Sequence, residues 1–165
     1  LRTKTIAYRR FDPDEPFEAA GFHVQPLRMN HPGGCCGFRI SGPDGVICVI
    51  GDHEHGDPET DASIREAVDG AALMLYDGAY DDDEYANYIG WGHSTWQTGV
   101  DLGHAAGVGQ TLIYHHQPEH SDKKLEELDA RIKARQPASA LARQNMQLLL
   151  QEGAVQTLAD YAKGA

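Results

Sequence analysis

The chain has 165 residues, 41% hydrophobic and 24% charged, which is enough for one domain with a buried core. Fourteen Lys and Arg stand against 25 Asp and Glu, a formal net charge of −11. This balance excludes unassisted binding to nucleic acid or an anionic membrane, which needs a basic patch, but not a phosphate substrate whose charge a bound metal could meet.

In chain order, the opening LRTKTIAYRR is basic and alternates from Thr3 to Arg9, unlike a signal peptide. GFHVQPLRM alternates again before the turn NHPGG, and the turn signal GPDG separates two strands, CGFRIS and VICVIG. Cys35, Cys36 and Cys48 make neither a CxxC pair nor an even set, so no disulfide framework or thiolate zinc site is expected and a reducing cytoplasm is. ASIREAVDG predicts a short helix capped by Gly70, and AALMLY a buried strand ending at Asp77. DDDEYANYIG carries acids in a first helical turn, and Thr95 to Gly107 predicts another helix. QTLIYHH reads as a buried strand, and Ser121 precedes a helix with Leu125, Leu128 and Ile132 on one face. After Pro137, ALARQNMQLLLQEGAVQTLADYAK predicts helix with a break near Gly153. No apolar run is long enough to span a membrane. Strands first and alternating elements later predict a mixed α/β domain.

Four polar residues, His31, Asp52, Asp77 and His115, stand where apolar strands end. One such residue would be a turn cap; four in succession point to a site, because a rigid sheet delivers them to a free loop. Histidine and carboxylate donors suit zinc, manganese or iron. DHEHGD offers a rival cluster in His53, His55 and Asp57, but Pro58 stands where a further histidine would complete HxHxDH. Ser94 and Thr95, beside His93, either cap the next helix or orient a phosphate oxygen next to a proton-donating imidazole.

The order NHPGG–GFRI, VICVIGDHEH, LMLYDGAY, GWGHSTW and LIYHHQPEHSD resembles the metallo-β-lactamase superfamily. The likeness is to the branch of ribonuclease Z and the cyclic-nucleotide phosphodiesterase-like metallohydrolases, and it runs from about Glu18 to the helix after Pro137. GHST followed by HHxPEHxD is its most specific part. The resemblance implies an α/β αββα sandwich holding two metal ions, usually zinc. It implies that His31 is a ligand of the first metal, that Asp77 bridges both, and that His115, rather than His116, is a ligand of the second. It further implies that His93 and Asp77 are catalytic, with His93 near the scissile phosphate, and that Asp52 orients a ligand from behind; Ser94 and Thr95 are then the candidate phosphate-binding residues. Asp81 to Glu84 are then only a solubilising helix start.

The family's HxHxDH motif belongs upstream of His31 and is absent there. The expectation is therefore a C-terminal half, or an N-terminally truncated form, of the sandwich, filling residues 1–165 as one domain. Such a chain should hold metal weakly or not at all by itself and expose an apolar sheet face to a missing N-terminal half or to a second copy. The implied function is a metal-dependent hydrolase that cleaves a phosphodiester or related ester bond of a small substrate with a metal-bound hydroxide. Long nucleic acid and membranes are not expected partners. The alternative is a non-catalytic, degenerate module that binds a partner chain, and a third reading places a mononuclear site on His53, His55 and Asp57.

Overall fold

Among the described residues, seven strands form one sheet in simple sequential order. The structure, a computed structural model, describes residue 8 and residues 10–159, so the alternating stretch from Thr3 to Arg9 lies, but for Tyr8, outside the described residues. Strands β1 (Phe17–Ala19), β2 (Phe22–Met29), β3 (Cys35–Gly42) and β4 (Gly45–Ile50) make an antiparallel meander. Gly42 pairs with Gly45 across the two-residue turn that GPDG predicts.

From β4 onward the pairing becomes parallel. Strands β5 (Leu73–Asp77), β6 (Gln110–Tyr114) and β7 (Ser139–Leu141) add in turn beside β4. Parallel neighbours need a crossover, and helices α1 (Pro58–Val68), α3 (Trp96–Ala105) and α4 (Asp122–Arg135) supply it, with the one-turn α2 (Asp82–Tyr85) ahead of α3. Each long helix starts on a side-chain cap: Asp57 accepts from the Thr60 N–H at 2.9 Å, Thr95 from Thr98 at 3.3 Å, and Ser121 from Lys124 at 3.3 Å.

The core lies on one face of the sheet. Leu27, Cys48, Ile50, Met74, Tyr76, Ile113 and Leu141 meet Ile64 and Val68 of α1, Trp96 and Val100 of α3, and Leu128 and Ile132 of α4. The opposite face carries Phe38, Ile40, Ile47, Val49 and Leu75, all half-buried, with Phe11 tilted edge-on to Phe38 at 5.7 Å. No described helix is long and apolar enough to cross a membrane.

Two expectations are corrected. The segment after Pro137 is not helical: it contains β7 and a hairpin, β8 (Gln147–Gln151) with β9 (Ala154–Ala159), and its last residues lie outside the described ones. Glu152 and Gly153 both take positive φ (50° and 77°), the conformation of a two-residue hairpin turn. The Gly153 N–H then donates to Asp44 O at 2.6 Å, so the hairpin is tied to the β3–β4 turn, a tertiary contact invisible to local periodicity. The second correction concerns Asp81, which is not merely solubilising. It is bonded to Arg131 and Gln97, while its N–H donates to Glu84 Oε1 at 3.0 Å, anchoring α2 to α4.

Candidate functional site

The change from antiparallel to parallel pairing brings three strand ends to one edge. Ile50 is in register with Tyr76, and Asp77 with Tyr114, so the residues that follow β4, end β5 and follow β6 emerge side by side. These are Asp52, Asp77 and His115. Asp52 and His115 both adopt left-handed backbone (φ 50° and 64°), which bends their side chains away from the strand direction. Gly51 is needed beneath them, because a Cβ there would overlap the Tyr114 hydroxyl.

Asp77 is fully buried. Its Oδ2 lies 2.6 Å from His93 Nδ1 and its Oδ1 accepts from the Ala79 N–H at 3.2 Å. Burial pushes its pKa above the ordinary carboxylate value, against the opposing pull of His93 and His115. His115 Nδ1 lies 3.2 Å from Asp52 Oδ1 and 3.8 Å from Asp77 Oδ2. Cys35 adds a thiol that donates to Asp52 Oδ2 at 3.8 Å. Donor atoms of Asp52, Asp77, His93 and His115 thus all lie within 4.8 Å of one another. A carboxylate without solvent exposure, facing imidazoles and a second carboxylate, is a donor set that fits a divalent zinc, manganese or iron ion.

His93 reaches this group on the turn GWGH. Gly92 has φ 89°, and a Cβ there would overlap the His31 ring, so glycine serves both backbone and packing. His31 itself stands one ring further out. Its centroid is 5.7 Å from that of His93, its Nδ1 accepts from the Gly33 N–H at 3.2 Å, and it is outside the four-residue group.

Ser94 and Thr95 are both fully buried. The Ser94 hydroxyl donates to His53 O at 2.6 Å and accepts from the His55 N–H at 3.0 Å, while Thr95 caps α3, so neither presents an oxygen to solvent. The rival DHEHGD residues are dispersed. His53 is buried with Nε2 3.2 Å from Asp61, burial pushing its pKa down; His55 lies against Tyr85 at 4.6 Å; Asp57 caps α1.

Glu54, in the same run, is the residue the sequence reading passes over. It is 7% exposed and accepts from the N–H groups of Gly90 at 2.6 Å and Gly92 at 2.8 Å and from the Tyr85 hydroxyl at 3.1 Å. Burial alone would raise its pKa, but these donors outweigh it and hold the carboxyl below the ordinary range. Glu54 therefore fixes the loop that carries His93. A signal existed in the pairing of an acid inside DHEH with a glycine-rich turn, but they are 36 to 38 residues apart and nothing local links them.

The family model for the beta-lactamase superfamily domain matches residues 2–116. No curated protein matches the chain. Among solved structures, it is similar to the metallo-beta-lactamase fold protein YhfI from Bacillus subtilis, with 20% identity and TM-score 0.67 over 89% of this chain and 53% of that one. It is also similar to the short form of human tRNase Z, at 21% identity and TM-score 0.53 over 62% of this chain and 38% of that one. A diphosphatase of the PhnP family gives 17% identity and TM-score 0.59 over 82% and 45%. The chain thus spans about half, or less, of the length of these structures. At such identities the likeness speaks for the fold. Since the family model covers well over half of the chain and the sheet agrees with it, the chain belongs to the β-lactamase superfamily and has the metallo-β-lactamase-like fold.

Proposed function

We propose that this chain carries the metal-holding strand ends of a hydrolase that cleaves a phosphodiester or related ester bond of a small substrate. The observation that carries the reading is the convergence of Asp52, Asp77, His93 and His115 donor atoms within 4.8 Å at one sheet edge. Asp52, Asp77 and His115 would hold the metal, and His31 stands close enough to His93 to join from the rim. When bound, a zinc, manganese or iron ion supplies Lewis acidity at the reacting ester.

The remaining chemistry belongs to side chains. Asp77 holds the Nδ1 edge of His93 at 2.6 Å, which leaves Nε2 as the nitrogen that exchanges a proton. His93 is thereby oriented to hand a proton from that nitrogen to a leaving-group oxygen. Asp52, held by His115 on one oxygen and Cys35 on the other, keeps its orientation at the edge of the site. In this reading Asp52 is a ligand rather than a support, and Asp77 has two tasks.

The test is metal stoichiometry by elemental analysis after zinc loading and desalting, followed by hydrolysis of bis(4-nitrophenyl) phosphate. Retained zinc that disappears in Asp52→Ala and His115→Ala, with hydrolysis lost in His93→Ala, supports the reading. Zinc retained equally by all variants would sink it. The alternative, a non-catalytic module that binds a partner chain, is favoured by the half-buried apolar face of Phe38, Ile40, Val49 and Leu75. It predicts no retained zinc in any form.

A further inference from the structure

Beside His93 and His115 lies a cleft of about 610 Å³, a size ordinary for small-molecule sites. One wall is aromatic. After α2 the chain continues in tight turns, with the Tyr88 N–H donating to Tyr85 O at 2.8 Å and the Trp91 N–H to Tyr88 O at 3.1 Å. These turns bring Tyr88 and Trp91 to the cleft, which Tyr80 also lines. Tyr88 stacks flat on the buried Tyr80, with centroids 4.3 Å apart and planes 9° apart, and Trp91 stands edge-on to Tyr88 at 5.6 Å.

Trp91 is 63% exposed, yet its backbone is pinned. Glu54 accepts from the amides on either side of it, Gly90 and Gly92, so a large ring is held out into the cleft by a buried carboxylate. A loose surface tryptophan would need no such support. The wall is also short of positive charge: among the described residues no lysine or arginine lines the cleft, its basic groups are imidazoles, and Glu84 and Glu119 are acidic.

We propose that this cleft seats an uncharged aromatic group of the substrate, with Tyr88 and Trp91 as the residues that select it. The proposal rests on the hydrolase reading above, which places the reacting ester at His93 and His115. Ring-on-ring contact supplies the attraction, and the acidic lining disfavours any further anionic group beyond the one at the reacting centre. The substrate class is therefore an aryl-bearing monoester or diester rather than a polyanion.

The experiment is calorimetric titration of the zinc-loaded chain with phenylphosphonate, methylphosphonate and 4-phosphonobenzoate. Phenylphosphonate should bind about tenfold more tightly than methylphosphonate. That ratio should fall towards one in Trp91→Ala and Tyr88→Ala, and persist in Ile89→Ala, which removes an equally exposed apolar side chain that does not line the cleft. The extra carboxylate of 4-phosphonobenzoate should cancel the advantage of the ring. Equal affinity for the first two phosphonates overturns the aromatic seat while leaving the metal reading intact, and tighter binding of 4-phosphonobenzoate overturns the charge argument. If no phosphonate binds, the metal reading has failed, and phenol titrated into the metal-free chain decides the seat separately. Quenching of tryptophan fluorescence that vanishes in Trp91→Phe and Tyr88→Ala keeps the seat, and no quenching removes it.

Discussion

Asp77 and Asp81 are four residues apart and differ in what surrounds them. Asp77 is enclosed at a strand end with both oxygens engaged, one of them by His93. Asp81 ties two helices together through Arg131. Replacing Asp77 by Asn keeps the shape and removes the charge that orients His93, so zinc affinity should drop roughly 10- to 100-fold, measured by competition with a chromogenic chelator. Unchanged affinity would show that Asp77 plays no part in holding metal. The apolar run before Asp77 made its place at a strand end readable from sequence, as it did for Asp52 and His115. The side chain each one meets was not readable, because His93 reaches Asp77 from a loop 16 residues away. Glu54 escaped for the same reason.

The elements that were legible are those whose signals are local: caps at Thr95 and Ser121, the GPDG turn, and the apolar runs of β4, β5 and β6. The hairpin β8–β9 was not, since QLLLQ and VQTLA have no helix breaker before Gly153 and gain their extended form from pairing with each other. Asp129 shows how α4 and β7 are joined. It is 5% exposed and receives the Leu141 N–H at 2.9 Å, Lys133 Nζ at 2.7 Å and Arg143 Nη2 at 3.0 Å. Burial raises its pKa, but the three donors outweigh burial and the net shift from 3.8 is downward. A depressed folded pKa means that this stabilisation is complete above the ordinary carboxylate value and is lost as pH falls through the depressed one. Asp129→Asn should therefore lower the unfolding free energy by about 2 kcal/mol at pH 7. The gap between variant and parent should shrink in urea melts near pH 3, and a gap of the same size there would contradict the assignment.

At the scale of the molecule, the sheet is both scaffold and delivery system. Its antiparallel half supplies breadth, and its parallel half aligns three strand ends so that donors distant in sequence meet. A ligand that binds only the folded arrangement stabilises it by mass action, about 2.7 kcal/mol at a concentration 100 times Kd. Zinc should thus raise the melting temperature of the chain, and the rise should be absent in His115→Ala. A rise of equal size in that variant would place the binding elsewhere. The α/β class was legible because helix and strand periods alternate along the second half, but the order of the strands in the sheet was not. The exposure of Trp91 on a pinned backbone was not, because it depends on how a loop is held from below.

The left-handed backbone at Asp52 and His115 has a further consequence. Side chains other than glycine adopt that conformation at an energetic disadvantage, on the order of 1 to 2 kcal/mol per residue. The ends of β4 and β6, one on each side of β5, therefore both carry backbone strain. Asp52→Gly should relieve part of it, giving a metal-free chain that melts no lower than the parent, while zinc retention is lost; a lower melting temperature would show that the strain is not there. Under the proposed function, the stability of the metal-free chain and the holding of a metal would then pull in opposite directions at Asp52.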